Sequence, residues 1–114
     1  MKAIHDLHIE NKRGYLWITL PDSITMENYL QVRNRIESEI IEKKDLANKI
    51  VVDLSKIDSI HSLLIGLILH IRKPVKQSQG IFYLVNVSGK CLMKFQALFL
   101  DRILQIYENE EEIG

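Results

Sequence analysis

Hydrophobic and polar positions change period several times along the chain, and each change marks an element. In "IHDLHIE", residues 4–10, one face carries Ile4, Asp6 and His8 and the other His5, Leu7 and Ile9, the two-residue repeat of a strand. After the turn residues "NKRG" comes "YLWITL", rich in β-formers, so the two segments predict a hairpin. "PDSIT" breaks the second strand and offers Ser23 or Thr25 as a helix cap. Beyond it Met26, Tyr29, Leu30, Ile36 and Ile40 recur at three, four and seven residues, with Glu27, Arg35, Glu37 and Glu39 between them. That spacing predicts one buried stripe of an amphipathic helix.

"KIVVDL" is a short β-branched run ending at Asp53 and Leu54, as a strand covered on both faces would read. It leads into "SKIDSIHSLLIGLILHIRK", where Ser62 immediately precedes the run Leu63–Leu69, which has no polar side chain. This segment predicts a second helix, apolar at its start, with His70, Arg72 and Lys73 near the negative pole of its dipole. Pro74 should end or kink it. Gly80 then precedes "IFYLVNV", another buried-strand candidate, "SGKCLMKFQALFL" reads as a third helix, and "ILQIYE" as a last short strand or extended segment. The order β-β-α-β-α-β-α-β predicts an α/β fold with a mixed central sheet of about four to five strands and helices packed against it.

Bulk composition narrows the class. With 114 residues, 46% of them hydrophobic, the chain suits a single domain over residues 1–114 with one core. Lys and Arg balance Asp and Glu at 15 each, interspersed, which argues against nucleic acid or an anionic membrane surface as a partner. Cys91 stands alone, so no intramolecular disulfide is available, as fits a reducing cytoplasm. The first residues lack the continuous apolar core of a signal peptide. The run after Ser62 is far below the roughly 20 residues that cross a bilayer.

Candidate catalytic and metal-binding chemistry is thin. His5 and His8 fall on opposite faces of a strand, so they do not share a metal. Cys91, followed by Leu92 and Met93, reads as a small core residue. Gly66, alone in an apolar helix, reads as a point of close packing on the sheet, and the tail "ENEEE" as a solvated end. No metal, cofactor or catalytic residue is expected. Ser62 remains. As a helix cap its oxygen would accept a bond from an amide one turn on; as an exposed hydroxyl at a positive helix end it would also tolerate a phosphate.

"VVDLSKIDSIHSLLIGLIL" resembles the STAS domain of bacterial anti-sigma-factor antagonists, in which a strand ending in a D-L-S type sequence runs through a loop to D-S-S/T-G-L-G at a helix start. Aligned without a gap, Asp53, Leu54 and Ser55 match the strand end, Ile57 and Ile60 the apolar loop positions, and Gly66 the last glycine of the motif. Ser62 falls on the serine that in the antagonists is phosphorylated by the cognate kinase. "LPDSIT" sits where the family leaves its second strand, and "FQALFLDRILQIY" where it has a helix and final strand, so the resemblance covers nearly the whole chain. His61 stands in place of the family's aspartate, Leu63 of a second serine or threonine, and Leu64 of a glycine. A shifted register would instead make Asp58 and Ser59 the D-S pair, leaving Ser59 as the reserve acceptor.

The resemblance implies a non-enzymatic, cytoplasmic module of transcription regulation that works by partner switching. It would bind a regulatory protein such as a serine-kinase anti-sigma factor through Asp58, Ser59, His61, Ser62 and Leu63, with phosphorylation at Ser62. Leu63 and Leu64 would make this patch more apolar than usual, suiting a dry interface or a homodimer. STAS-like domains also serve membrane transport assemblies without inserting in the bilayer, so a scaffold that has lost the phosphorylation is the alternative.

Overall fold

The computed structural model describes residues 6–113. Its strands are β1 (His8–Lys12), β2 (Tyr15–Thr19), β3 (Lys49–Asp53), β4 (Ile81–Val85) and β5 (Gln105–Ile106), and its long helices α1 (Tyr29–Glu42), α2 (Ser62–Gln77) and α3 (Gly89–Ala97). The order along the chain is the one the hydrophobic pattern predicts. β1 and β2 form the hairpin, paired from His8 with Thr19 to Lys12 with Tyr15. Its turn is tighter than "NKRG": only Arg13 and Gly14 connect the strands, both at positive φ (56° and 85°), the mirror-image turn whose twist matches that of the strands. His5 lies outside the described residues.

The sheet runs β1-β2-β3-β4-β5, with β1 antiparallel and every later pair parallel. Each parallel step is a helical crossover in the same direction across the sheet, and crossovers of one hand lay their helices on one face. Val32 and Ile36 of α1, Leu64, Leu67, Ile68, Ile71 and Val75 of α2, and Cys91 and Phe95 of α3 accordingly share one core with Leu16, Ile18, Ile50, Val52, Phe82 and Leu84 of the sheet. Among the described residues the opposite face has no long helix. Trp17, Val51 and Val85 are buried there beneath Tyr15, Tyr83, Tyr107 and Ile113, with Tyr83 and Tyr107 edge to face at 5.3 Å. Burial, then the neighbouring Tyr107 and Tyr15, raise the Tyr83 hydroxyl's pKa.

The acidic end is not simply solvated. Glu110 bridges Lys12 at 3.1 Å, accepts from Asn86 Nδ2 at 2.9 Å, and its carbonyl accepts from Arg13 at 2.9 Å. The turn Glu110–Ile113 is thereby folded back over the helix-free face. The hydrogen bond from Asn86, and then Lys12, hold the Glu110 carboxyl below its ordinary 4.5.

Three further expectations change. Met26 and Leu30 are exposed (83% and 58%) rather than buried. Thr25 and Asn28 exchange backbone-to-side-chain hydrogen bonds (2.8 and 3.2 Å), a reciprocal cap that starts the helical turn with Val32 and Ile36 facing the sheet, and Leu30 then stands roughly opposite them. α2 continues through Pro74 to Gln77. Val75 is buried beyond the proline, and Ser78 donates to Pro74 O (3.1 Å) and Val75 O (2.9 Å), closing the last turn. Only Lys76 is therefore basic in that turn; His70, Arg72 and Lys73 precede it. Gly66 packs on nothing, since a Cβ there would meet no atom, whereas one on Gly80 would strike the Asn48 carbonyl and Val75.

Candidate functional site

The connection from β3 to α2, residues 54–61, combines buried anchors with exposed polar residues. Leu54, Ile57 and Ile60 are buried at three-residue spacing, while Ser55, Lys56, Asp58 and Ser59 between them and His61 after them are exposed. Burying an isoleucine side chain is worth about 1.5–3 kcal/mol, so these anchors hold the backbone and turn its polar side chains outward. Leu54 N donates to Val85 O at 3.0 Å and Ile57 N to Leu54 O at 3.0 Å.

The loop leaves the sheet at a buried carboxylate. Asp53 is 5% exposed and accepts from Trp17 Nε1 (3.0 Å), Asn86 Nδ2 (3.1 Å) and the Ser55 amide (2.9 Å). A buried charge is tolerable only with partners of this kind. The sequence marked Asp53 as the strand end; its role in fixing the loop's exit was not readable, because Trp17 reaches it from β2 and Asn86 from just past the end of β4.

At the far end of the loop the helix start differs from the expected one. His61, extended at φ −144° and ψ 177°, is the N-cap residue of α2 and supplies no side-chain cap. Its carbonyl accepts from Ile65 N at 3.0 Å. Ser62 is therefore the first helical residue rather than the cap, and no hydrogen bond to its hydroxyl occurs among the described residues. A helical backbone at that position carries the hydroxyl away from the amides a cap would serve. The first turn of α2 also holds no acidic residue, so its positive pole is uncompensated by side chains.

Asp58, Ser59, His61 and Ser62 are all exposed, and Leu63 beside them is half-buried. Leu64 is fully buried in the core, so it adds no apolar surface to the patch, contrary to expectation. Cys91 is buried, its thiol 3.9 Å from Ile57 O. Among the described residues no group of three metal-ligating side chains gathers, and no helix is long and apolar enough to cross a membrane. One feature escaped the sequence reading: Ser59 and Ile60 line a pocket of about 190 Å³ with Lys90, Cys91 and Lys94 of α3. The Lys90–Lys94 spacing was visible, but not the loop opposite it.

A family model described as the STAS domain matches residues 6–113. A Thermotoga maritima protein provisionally named an anti-sigma factor antagonist is 38% identical over 65 residues, which are 57% of this chain and 58% of that relative. The matched stretch is thus less than two thirds of the relative's length. The crystal structure of a Thermotoga maritima protein with that provisional name superposes with a TM-score of 0.80 at 28% identity, covering 96% of this chain and 92% of that one. The phosphorylated form of the Bacillus cell fate determinant SpoIIAA shares the fold, with a TM-score of 0.66 at 21% identity over 94% of this chain and 96% of that one.

Proposed function

This chain belongs to the STAS domain family, and on that premise we propose that it is a non-catalytic, cytoplasmic regulatory module, one domain over residues 1–114. It binds another protein through Asp58, Ser59, His61, Ser62 and Leu63. The partner is a serine-kinase anti-sigma factor, the consequence is a change in transcription, and Ser62 is the phosphoacceptor, with Ser59 in reserve. The observation that carries this reading is the Ser62 hydroxyl: exposed, at the first position of α2, and without a hydrogen bond among the described residues. A solved relative of this fold is a phosphorylated form, and a named relative is provisionally an anti-sigma factor antagonist.

The physics supports a switch in binding that leaves the fold intact. Phosphorylation adds about 1.5 to 2 negative charges. The free amides and positive pole of α2 stabilise that charge where it stands, so the domain tolerates it. A partner that docked on a neutral hydroxyl then meets a hydrated dianion and is released.

The test is a pull-down from the native cell with wild type, Ser62→Ala and Ser62→Glu, together with intact-mass analysis of the wild type. Recovery of a kinase-like regulator by wild type and Ser62→Ala, its loss with Ser62→Glu, and phosphate mapped to Ser62 are the expected results. A second reading, an unphosphorylated STAS scaffold in a membrane transport or signalling assembly, draws on Leu63 and Leu64, bulky where the family motif has small residues. Equal recovery of one membrane-associated partner by all three proteins, with no phosphate, would decide for the scaffold.

A further inference from the structure

We infer that the loop carries a second phosphoryl site, on Ser59, whose phosphate is held by Lys90 and Lys94; this rests on the reading of the loop as a regulatory surface. Ser59 is exposed and lines the pocket of about 190 Å³ whose other walls are Ile60, Lys90, Cys91 and Lys94. Ile60 and Cys91 are buried, whereas Lys90 and Lys94 are exposed and supply the charged part of the lining.

The lysines are four apart on α3 and share one side of it, where like charges oppose each other. Neither pairs with a carboxylate among the described residues, whereas Lys12 and Lys43 each do. Two positive charges thus line the same pocket as a hydroxyl, and a phosphoserine there supplies about 1.5 to 2 negative charges and three acceptor oxygens. Ser62 does not line this pocket. The two hydroxyls therefore differ in what would hold a phosphate: a helix pole at Ser62, a lysine pair at Ser59. The charged and titratable groups about Ser59 are Lys56, Asp58 and His61 on its own loop and Lys90, Cys91 and Lys94 on α3.

The step is a phosphoryl transfer from a nucleoside triphosphate by a serine kinase. The Ser59 oxygen bonds to the γ-phosphorus as the bond to the β-phosphate oxygen breaks, the hydroxyl proton passes to the kinase's base, and a nucleoside diphosphate leaves. The resulting phosphate ties the loop to α3 and neutralises the basic edge of the surface.

The experiment needs no kinase. Full-length protein carrying phosphoserine at 59 or at 62, installed by genetic-code expansion, is titrated by phosphorus NMR with and without Lys90→Gln/Lys94→Gln. The second ionisation of phosphoserine 59 should fall about 0.5–1 unit below its ordinary value near 6, shift less at high salt, and return when the lysines are removed. Phosphoserine 62 should not respond to the lysines. A phosphoserine 59 that titrates identically with and without them, or two phosphoserines that respond equally, would overturn the cradle. Phosphosite mapping of protein from its native cell should find phosphate on Ser59; phosphate confined to Ser62 would remove the second site and leave the Ser62 switch standing.

Discussion

α3 and α2 each begin beside a serine, and the two serines are used in opposite ways. Ser88, extended at φ −63° and ψ 157°, is the N-cap of α3, and its hydroxyl accepts from Cys91 N at 3.2 Å. Ser62 lies one position further into its helix, after a His61 cap that supplies no side-chain bond. One residue of offset decides whether the hydroxyl is occupied by the fold or left without a cap bond to make. The α2 end is held instead by what lies behind it: Leu54, Ile57, Ile60 and Leu64 are all buried. A helix start anchored by packing can leave its polar groups free, whereas one with a short buried face relies on its cap.

This contrast can be broken by substitution. The largest effect should come from the packing behind Ser62: Ile60→Ala is expected to cost about 3 kcal/mol, from lost burial plus the cavity left behind. Urea denaturation measures it, and a cost below about 1 kcal/mol would mean that the loop is not anchored as described. Next comes Ser88→Ala, expected to cost about 1 kcal/mol through loss of the cap. Ser62→Ala, by the same measurement, should change stability by no more than about 0.5 kcal/mol. If Ser62→Ala proved as costly as Ser88→Ala, the hydroxyl would be structural and the proposed switch would lose its basis.

The smallest effect lies away from both helix starts and serves as a control. The Glu110 carboxyl sits below its ordinary 4.5 because Asn86 and Lys12 favour its charged form. A group with a lowered folded pKa contributes stability that is fully present above the unfolded value and is lost as pH falls through the folded one. Wild type should therefore lose more stability on acidification below about pH 4.5 than Glu110→Gln does. Equal losses would show that the tail is not tied down by this charge.

Much of the architecture was legible because strands and helices announce themselves by period. "KIVVDL" and "IFYLVNV" became the central strands β3 and β4, and the eight-element order held throughout. What failed were statements about direction. Met26 and Leu30 satisfied helical spacing, yet the Thr25–Asn28 cap fixed a phase that turned both to solvent. Pro74 is a breaker by local rules, but it falls in the last turn, where Val75 and Ser78 close the helix around it. At the candidate site the loop leading to Ser62 was readable. Leu64 was misread as surface, because adjacent leucines give no hint which one a helix will bury.

The sequence by itself determined the sheet, the crossovers, the family and the position of a serine at the start of the second long helix. Those follow from local periodicity and from a contiguous motif, which need no partner elsewhere in the chain. Tertiary structure decided that Ser62 is not a cap, that Asp53 is satisfied by Trp17 and Asn86, that Glu110 folds the tail back on the hairpin, and that Lys90 and Lys94 line a pocket with Ser59. Each of the last three depends on a contact between segments far apart in the chain, and such contacts exist only once the sheet and the core have set the distances between them.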